Sequence, residues 1–280
     1  MDLDTVRQIV RPATPQELPS WQDGDAWLAG GTWLFSEPQP NVRRLIDLGG
    51  FGWPALLADE AGLHIAATCR IAELYGYDAP ADWTASPLIR SCCEALAASF
   101  KVWNTATVGG NLCLALPAGA LIALAVALEG TCAIWQPGGG ARLVPAANFV
   151  TDVKQTVLRP GELLRSISLP LDALRRTAVV RRAARSAAGI SSALLIGTAG
   201  GEEPDFSITI SAATRRPVRL DFAGRPTAAE LRAVLDRAVP PQLYFDDAHG
   251  TADYRRHVTQ LFAEDIRRVL DDEAASCRSG

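Results

Sequence analysis

The sequence predicts a mixed α+β protein built in more than one lobe. Three observations carry that expectation. Short strand-like runs alternate with helix-start signatures through residues 1–172. Three further strand-like runs are then followed by two helical stretches, the order expected of a separate α+β unit. A chain of 280 residues is also longer than one ordinary domain. With 48% hydrophobic and 21% charged residues, the composition is that of a folded chain and not a disordered one.

Taken in order, Thr14-Pro15-Gln16-Glu17 has the capping-box pattern, with Pro at the first helical position, and predicts a short helix. Trp27-Leu28-Ala29 reads as a strand ending at Gly30-Gly31, Arg44–Leu48 as the next, and Leu63–Ala67 as another. Pro87–Phe100 has helical apolar spacing. Gly119–Leu128 is apolar all round and predicts a buried helix. Thr131–Trp135 and Ala141–Val144 flank a glycine-rich connection and form a hairpin-like pair. Glu162–Leu169 is a strand stopped by Pro170.

A linker is expected at Leu171-Asp172-Ala173, dividing the chain into 1–172 (lobes of about 1–56 and 57–172) and 173–280. Beyond it, Ala178–Arg182, Ala193–Ile196 and Phe206–Ala212 are the expected strands. Thr227-Ala228-Ala229-Glu230 is a second capping box, opening a helix to about Val239. The last helix is expected from about Ala252 to Leu270, with Tyr254, Val258, Leu261, Phe262, Ile266, Val269 and Leu270 along one face.

Several function classes are disfavoured. The net charge is −4 and no basic run exists, so nucleic acid is not an expected partner. Leu112–Leu128 is uncharged over 17 residues, but Pro117 and Gly119 interrupt it, so no membrane span is expected. The six cysteines (Cys69, Cys92, Cys93, Cys113, Cys132 and Cys277) contain no C-x-x-C spacing, which disfavours an iron–sulfur cluster or a structural zinc in this chain. Met1-Asp2-Leu3-Asp4 is acidic and no apolar core follows, so no secretory leader is expected and free thiols in the cytoplasm fit best. All basic residues but Lys101 and Lys154 are Arg, a bias that codon usage accounts for.

Two glycine pairs remain, Ala29-Gly30-Gly31-Thr32 and Thr107-Val108-Gly109-Gly110-Asn111. Neither is a G-x-G-x-x-G dinucleotide fingerprint. Both are compatible with tight turns. Both are equally compatible with amide nests, because glycine lets successive N–H groups point into one concavity and approach an anion closely. Thr32 and Asn111 would add side-chain donors. Asp253 and His257, one turn apart, lack a third metal ligand, Ser99, Ser191 and Ser192 lack a hydrolase elbow, and Arg175, Arg176, Arg181, Arg182 and Arg185 suit either a partner face or solvated strand ends.

The segments around these pairs carry a family resemblance. Leu28-Ala29-Gly30-Gly31-Thr32 with Leu45-Ile46-Asp47-Leu48, then Asn104 to Leu112 with Pro117-Ala118, resemble in order the two flavin segments of the FAD-binding medium subunit of molybdenum hydroxylases, the xanthine dehydrogenase and carbon monoxide dehydrogenase group. Leu158 to Leu164, Ser168-Leu169-Pro170, Arg216 to Arg219, Asp246-Asp247 and Tyr254-Arg255-Arg256 resemble its later segments.

The resemblance implies a two-lobed FAD-binding fold of the vanillyl-alcohol-oxidase type followed by a smaller α+β domain with a three-stranded sheet. It implies that Leu28, Ala29, Gly30, Gly31, Thr32, Trp33, Leu34 and Phe35 wrap the cofactor from one side. Thr107, Val108, Gly109, Gly110 and Asn111 would hold it from the other, with Leu164 packing on it and Arg181 supplying a cation near the flavin. It implies a large molybdopterin-binding partner and a small [2Fe-2S] partner. In that arrangement the chain passes electrons from partner clusters through FAD to an external acceptor. Ala120, Trp103, Leu116 and Trp33 replace residues that are more polar in many relatives, which keeps an FAD-less scaffold subunit open as an alternative, alongside a stand-alone flavin oxidase.

Overall fold

A computed structural model describes residues 3–201 and 205–278, with residues 273–278 described by backbone only; Met1, Asp2 and the side chain of Cys277 lie outside the described part. Three short parallel strands, β1 (Gln8–Val10), β2 (Asp25–Leu28) and β3 (Arg44–Asp47), form the first sheet in the order β1-β3-β2. The expected helix after Thr14 is one 3-10 turn, Pro15–Glu17, in which Glu17 accepts from Ala13 N and Thr14 Oγ1.

The second sheet is antiparallel and five-stranded. Its strands are β4 (Leu56–Asp59), β5 (Gly62–Ala66), β6 (Thr131–Trp135), β7 (Ala141–Pro145) and, at its centre, β10 (Leu163–Pro170), in the order β4-β5-β10-β6-β7. Between β7 and β10, a two-stranded hairpin of β8 (Val150–Asp152) and β9 (Gln155–Thr156) leaves the sheet. The helices α1 (Ile71–Tyr75), α2 (Pro87–Glu94), α3 (Phe100–Trp103), α4 (Val108–Leu114) and α5 (Ala120–Ala127) lie between β5 and β6. The long helix expected over 87–100 is thus two pieces, α2 and α3.

All eight residues of α5 are buried, as an all-apolar helix requires. It lies within the larger core, packed against α2 and α4 and against two strands of the chain's last sheet. The expected linker at 171–173 falls in a short helix, α6 (Leu171–Leu174), because Ala173 and Leu174 are buried.

The last sheet has four antiparallel strands in sequence order, β11 (Thr177–Ala184), β12 (Ser191–Ala199), β13 (Phe206–Ser211) and β14 (Val218–Phe222). The fourth strand departs from the expected three: VRLDF is short and charged, and it pairs because Val218 and Leu220 are buried at its edge position. All nine residues of β12 are buried, since α5 covers one face and α8 (Ala252–Arg278) the other. A Cβ at Gly197 of β12 would come within 2.1 Å of Ile266 on α8, so that helix sits directly on the strand backbone. Along α8, Val258, Ile266 and Leu270 are buried, whereas Tyr254 and Leu261 point outward. Helix α7 (Ala228–Ala238) begins with both hydrogen bonds of its capping box in place.

Charged groups stitch these layers together. Glu129, in the left-handed region at φ 54°, accepts from Arg176 Nη1 at 2.6 Å and from Arg219 Nη2 at 2.7 Å. Arg219 also donates to the last carbonyls of α5, Val126 and Ala127. Each arginine of the cluster finds a partner within the chain. Arg175 pairs with Asp82, Arg176 is buried against Glu129 and Asp172, Arg181 pairs with Asp265, Arg182 holds the carbonyls of Ala187 and Gly189, and Arg185 that of Ala248.

Candidate functional site

A cavity of about 550 Å³ lies where the first sheet, α3, α4 and β10 meet. That is within the usual range for a small-molecule site. No Asp, Glu, Lys, Arg or His side chain lines it; its walls are mostly apolar, with Gln39, Thr32, Thr107 and Asn111 as the polar side chains besides three indoles and the Cys113 thiol. Of the residues expected at the site, Ala29, Gly30, Gly31, Thr32, Trp33, Leu34, Thr107, Gly109, Gly110, Asn111 and Leu164 line it. Leu28, Phe35, Val108 and Arg181 do not. Leu28 ends β2, Phe35 folds its ring over Gly31, Val108 is buried in the core, and Arg181 is on β11 bonded to Asp265 at 2.5 Å. Ala120, the first residue of α5, is fully buried and is likewise off the wall.

The two glycine pairs do different work. The second is the first turn of α4 and not a loop. Thr107 caps that helix, its Oγ1 accepting from Gly110 N at 3.0 Å. Val108 N bonds Cys69 O, Gly109 N bonds Ala67 O, and Asn111 N bonds Thr107 O. All four amides are in use, so this segment is no amide nest. Its glycines serve close approach: a Cβ at Gly109 would stand 2.5 Å from the Ala67 side chain.

The first pair does leave amides free. None of the N–H groups of Gly30 to Leu34 makes a hydrogen bond within the described residues. Gly31 is left-handed at φ 69°, and Phe35 N closes back on Gly31 O at 2.8 Å. Successive unpartnered amides around a left-handed glycine are what an anion-accepting nest requires. Gly30 presses against the partner segment, since a Cβ there would lie 2.0 Å from Thr105 O. Two buried polar atoms of wall residues also lack partners, Trp103 Nε1 and Asn111 Oδ1. The cavity can thus receive a flat apolar ligand carrying an anionic group and a few polar edges.

Among the residues missed by sequence reasoning are Trp27, Leu48, Ile71, Leu96, Cys113 and Leu163. Isolated apolar residues carry no local signal, and the tertiary fold alone brings them together. Trp27 also donates its indole N–H to Glu162 O at 2.9 Å, joining the first sheet to the turn before β10.

Glu162 is the structural acid beneath that wall. Arg142 binds both its oxygens, at 2.8 and 2.6 Å, and Arg159 N adds a third bond at 2.9 Å. The Arg142 guanidinium holds its carboxyl down at about 2, against an ordinary 4.5, in spite of burial. Because the folded value is depressed, this stabilisation is complete above the unfolded value and is lost as pH falls from about 4.5 towards 2. Glu162→Gln is expected to cost about 2–3 kcal/mol near neutral pH. Urea denaturation should show a smaller gap to wild type near pH 3; an equal gap at both pH values would refute the linkage.

Burial pushes the thiols of Cys69, Cys93 and Cys132 up to about 12, so none is poised as a nucleophile. No cluster of three or more His, Cys, Asp or Glu side chains able to hold a metal occurs among the described residues, and no described helix is long and apolar enough to cross a membrane.

Comparison with solved structures shows the same fold. The chain superposes on quinoline 2-oxidoreductase from Pseudomonas putida 86 with a TM-score of 0.78 at 19% identity, covering 98% of this chain and 99% of that one. It superposes on the carbon monoxide dehydrogenase of Hydrogenophaga pseudoflava with a TM-score of 0.78 at 20% identity, covering 95% and 97%. For carbon monoxide dehydrogenase from Oligotropha carboxidovorans the TM-score is 0.76 at 21% identity, covering 96% and 99%. In sequence, 121 residues are 31% identical to xanthine dehydrogenase of Oryza sativa subsp. japonica, covering 41% of this chain and only 9% of that much longer enzyme. The family described as the FAD binding domain in molybdopterin dehydrogenase matches residues 6–172. That match takes in more than half of the chain and all of the cavity's lining, and the chain belongs to this family of FAD-binding domains of molybdopterin dehydrogenases.

Proposed function

We propose that the chain is the FAD-binding, electron-transferring subunit of a molybdenum-containing hydroxylase or dehydrogenase, working in the cytoplasm beside a large molybdopterin-binding partner and a small [2Fe-2S] partner. The observation that carries this reading is the cavity itself: apolar walls, one nest of free amides and no ionisable acid–base pair. The wall fits FAD. The Gly30–Leu34 amides match an anionic diphosphate, the apolar faces match ring systems, and the orphaned Trp103 Nε1 and Asn111 Oδ1 match polar edges of a ligand.

In this reading Ala29 to Leu34 bind the diphosphate side, while Thr107, Gly109, Gly110 and Asn111 form the opposite wall, with Gly110 admitting the cofactor closely. Leu163 and Leu164 press on a ring and exclude water. When bound, FAD supplies electron transfer; the chain orients it and sets its surroundings. The walls carry no carboxylate, imidazole or amine to deprotonate a substrate, which supports an electron carrier over a stand-alone oxidase.

The test is optical. The purified chain should be yellow and release FAD on denaturation; a folded, colourless protein would favour the scaffold alternative. Gly110→Val should be folded but colourless, because a Cβ at Gly110 meets only Thr107 Oγ1, at 3.0 Å, and is otherwise directed at open cavity. Mixed anaerobically with candidate hydroxylase substrates, the isolated chain should keep its flavin oxidised. Rapid bleaching with no other protein present would sink the subunit reading.

A further inference from the structure

The cavity wall holds no cation, and only one of its two glycine segments offers free amides. A diphosphate carries about two negative charges, and burying charge without a counter-charge is costly. A basic side chain stands against one wall residue. Lys154, at the tip of the β8–β9 hairpin, lies over the indole of Trp33 with Nζ 5.2 Å from the ring centroid. Trp33 is both a wall residue and a contributor of one of the free N–H groups.

The chain builds this placement. Lys154 is left-handed at φ 56°, an arrangement that costs about 1 kcal/mol or more in a non-glycine residue. Its N–H is fixed to Ala115 O at 2.9 Å, beside the end of α4. The hairpin is anchored on its other side by the Asp152–Arg215 ion pair at 2.9 Å. Nearly every other basic residue described above is tied to a carboxylate or a carbonyl, whereas Lys154 Nζ makes no ion pair or hydrogen bond among the described residues. An ammonium resting on an aromatic face is held weakly enough to be recruited by an anion.

We propose that Lys154 is the counter-charge of the site, pairing with the diphosphate of a dinucleotide seated on the Gly30–Leu34 nest; this rests on the flavin reading of the cavity. The nest fixes the position of the phosphates and Lys154 supplies the charge that the wall lacks. The recognised class is then a phosphate-bearing flavin and not the isoalloxazine ring alone.

The experiment is a titration of the full chain, stripped of cofactor, with FAD, FMN and riboflavin, followed by quenching of flavin fluorescence. Lys154→Met, which keeps the backbone anchor, should weaken FAD about tenfold to thirtyfold, the worth of one charge-assisted hydrogen bond. It should leave riboflavin affinity unchanged and flatten the dependence of FAD affinity on salt. Lys154→Arg should restore most of the loss. Unchanged FAD affinity in Lys154→Met, with wild type binding tightly, overturns the role of Lys154 and leaves the flavin reading standing. An equal loss for riboflavin also overturns it, since the effect would then not come from phosphate. A wild-type chain that binds no FAD overturns the flavin reading and this inference together.

Discussion

Replacing Arg255 with methionine is expected to destabilise the protein by about 3–5 kcal/mol, the usual cost of breaking a buried ion pair from one side. The Arg255 side chain is 1% exposed. It donates to Gly250 O at 3.0 Å, to Ser192 O at 2.8 Å, to Ala212 O and to the Asp247 carboxylate. One guanidinium thereby holds the start of β12, the end of β13 and the loop before α8. Methionine fills much of the volume but leaves three carbonyls and a carboxylate without their donor. The effect should reach the larger core, because Ala212 N in turn bonds Pro117 O, just before α5. Arg256→Met is the control. Its side chain is 45% exposed and sits 3.5 Å from Asp236, so it should cost less than about 1 kcal/mol. Urea denaturation of both variants decides the matter, and similar midpoints for the two would refute the assignment.

Gly30→Ala should have the second-largest effect, and it should fall on the site. The added Cβ would stand 2.0 Å from Thr105 O and 2.8 Å from Thr105 C. Backbone atoms cannot swing aside as a side chain can, so the first glycine segment must part from the one before α4. Overpacking of this kind costs about 1–3 kcal/mol, and if it is taken from binding, FAD affinity falls roughly 5- to 150-fold. Gly110→Ala separates packing from cofactor contact: within the protein its Cβ would meet only the Thr107 hydroxyl at 3.0 Å, so a loss of flavin there reports the cofactor and not a clash between segments. A flavin titration that finds Gly30→Ala at wild-type affinity would show that the two segments need not touch to form the site.

The elements legible in the sequence are those with a local cause. Helix α5 is apolar on every side, so its burial follows from composition alone. Helix α7 starts where Thr227 and Glu230 can satisfy each other's backbone donors. Arg44 to Asp47 carries a buried Leu-Ile pair and β10 alternates over its second half, and the TVGGN segment carried the resemblance that the family match bears out.

What escaped has a non-local cause. Glycine is a poor helix former, so Val108-Gly109-Gly110-Asn111 reads as a loop; it is helical because Thr107 caps it and Ala67 packs where a Cβ would otherwise stand. The consequence is chemical as well as structural, because the capped turn has no amides left for an anion and the nest belongs to Gly30–Leu34 alone. The resemblance implies a cation at Arg181, which α8 pairs with Asp265, while Lys154 comes to Trp33 on a hairpin with no motif. By itself the sequence determined the mixed α+β class, the buried helix, the capped helix and the family, since each depends on neighbours a few residues away or on a motif in order. Only the tertiary structure decided which amides remain free and which charges are already paired, because a hydrogen-bond donor has one proton to give and its acceptor is chosen by packing between residues far apart in the chain.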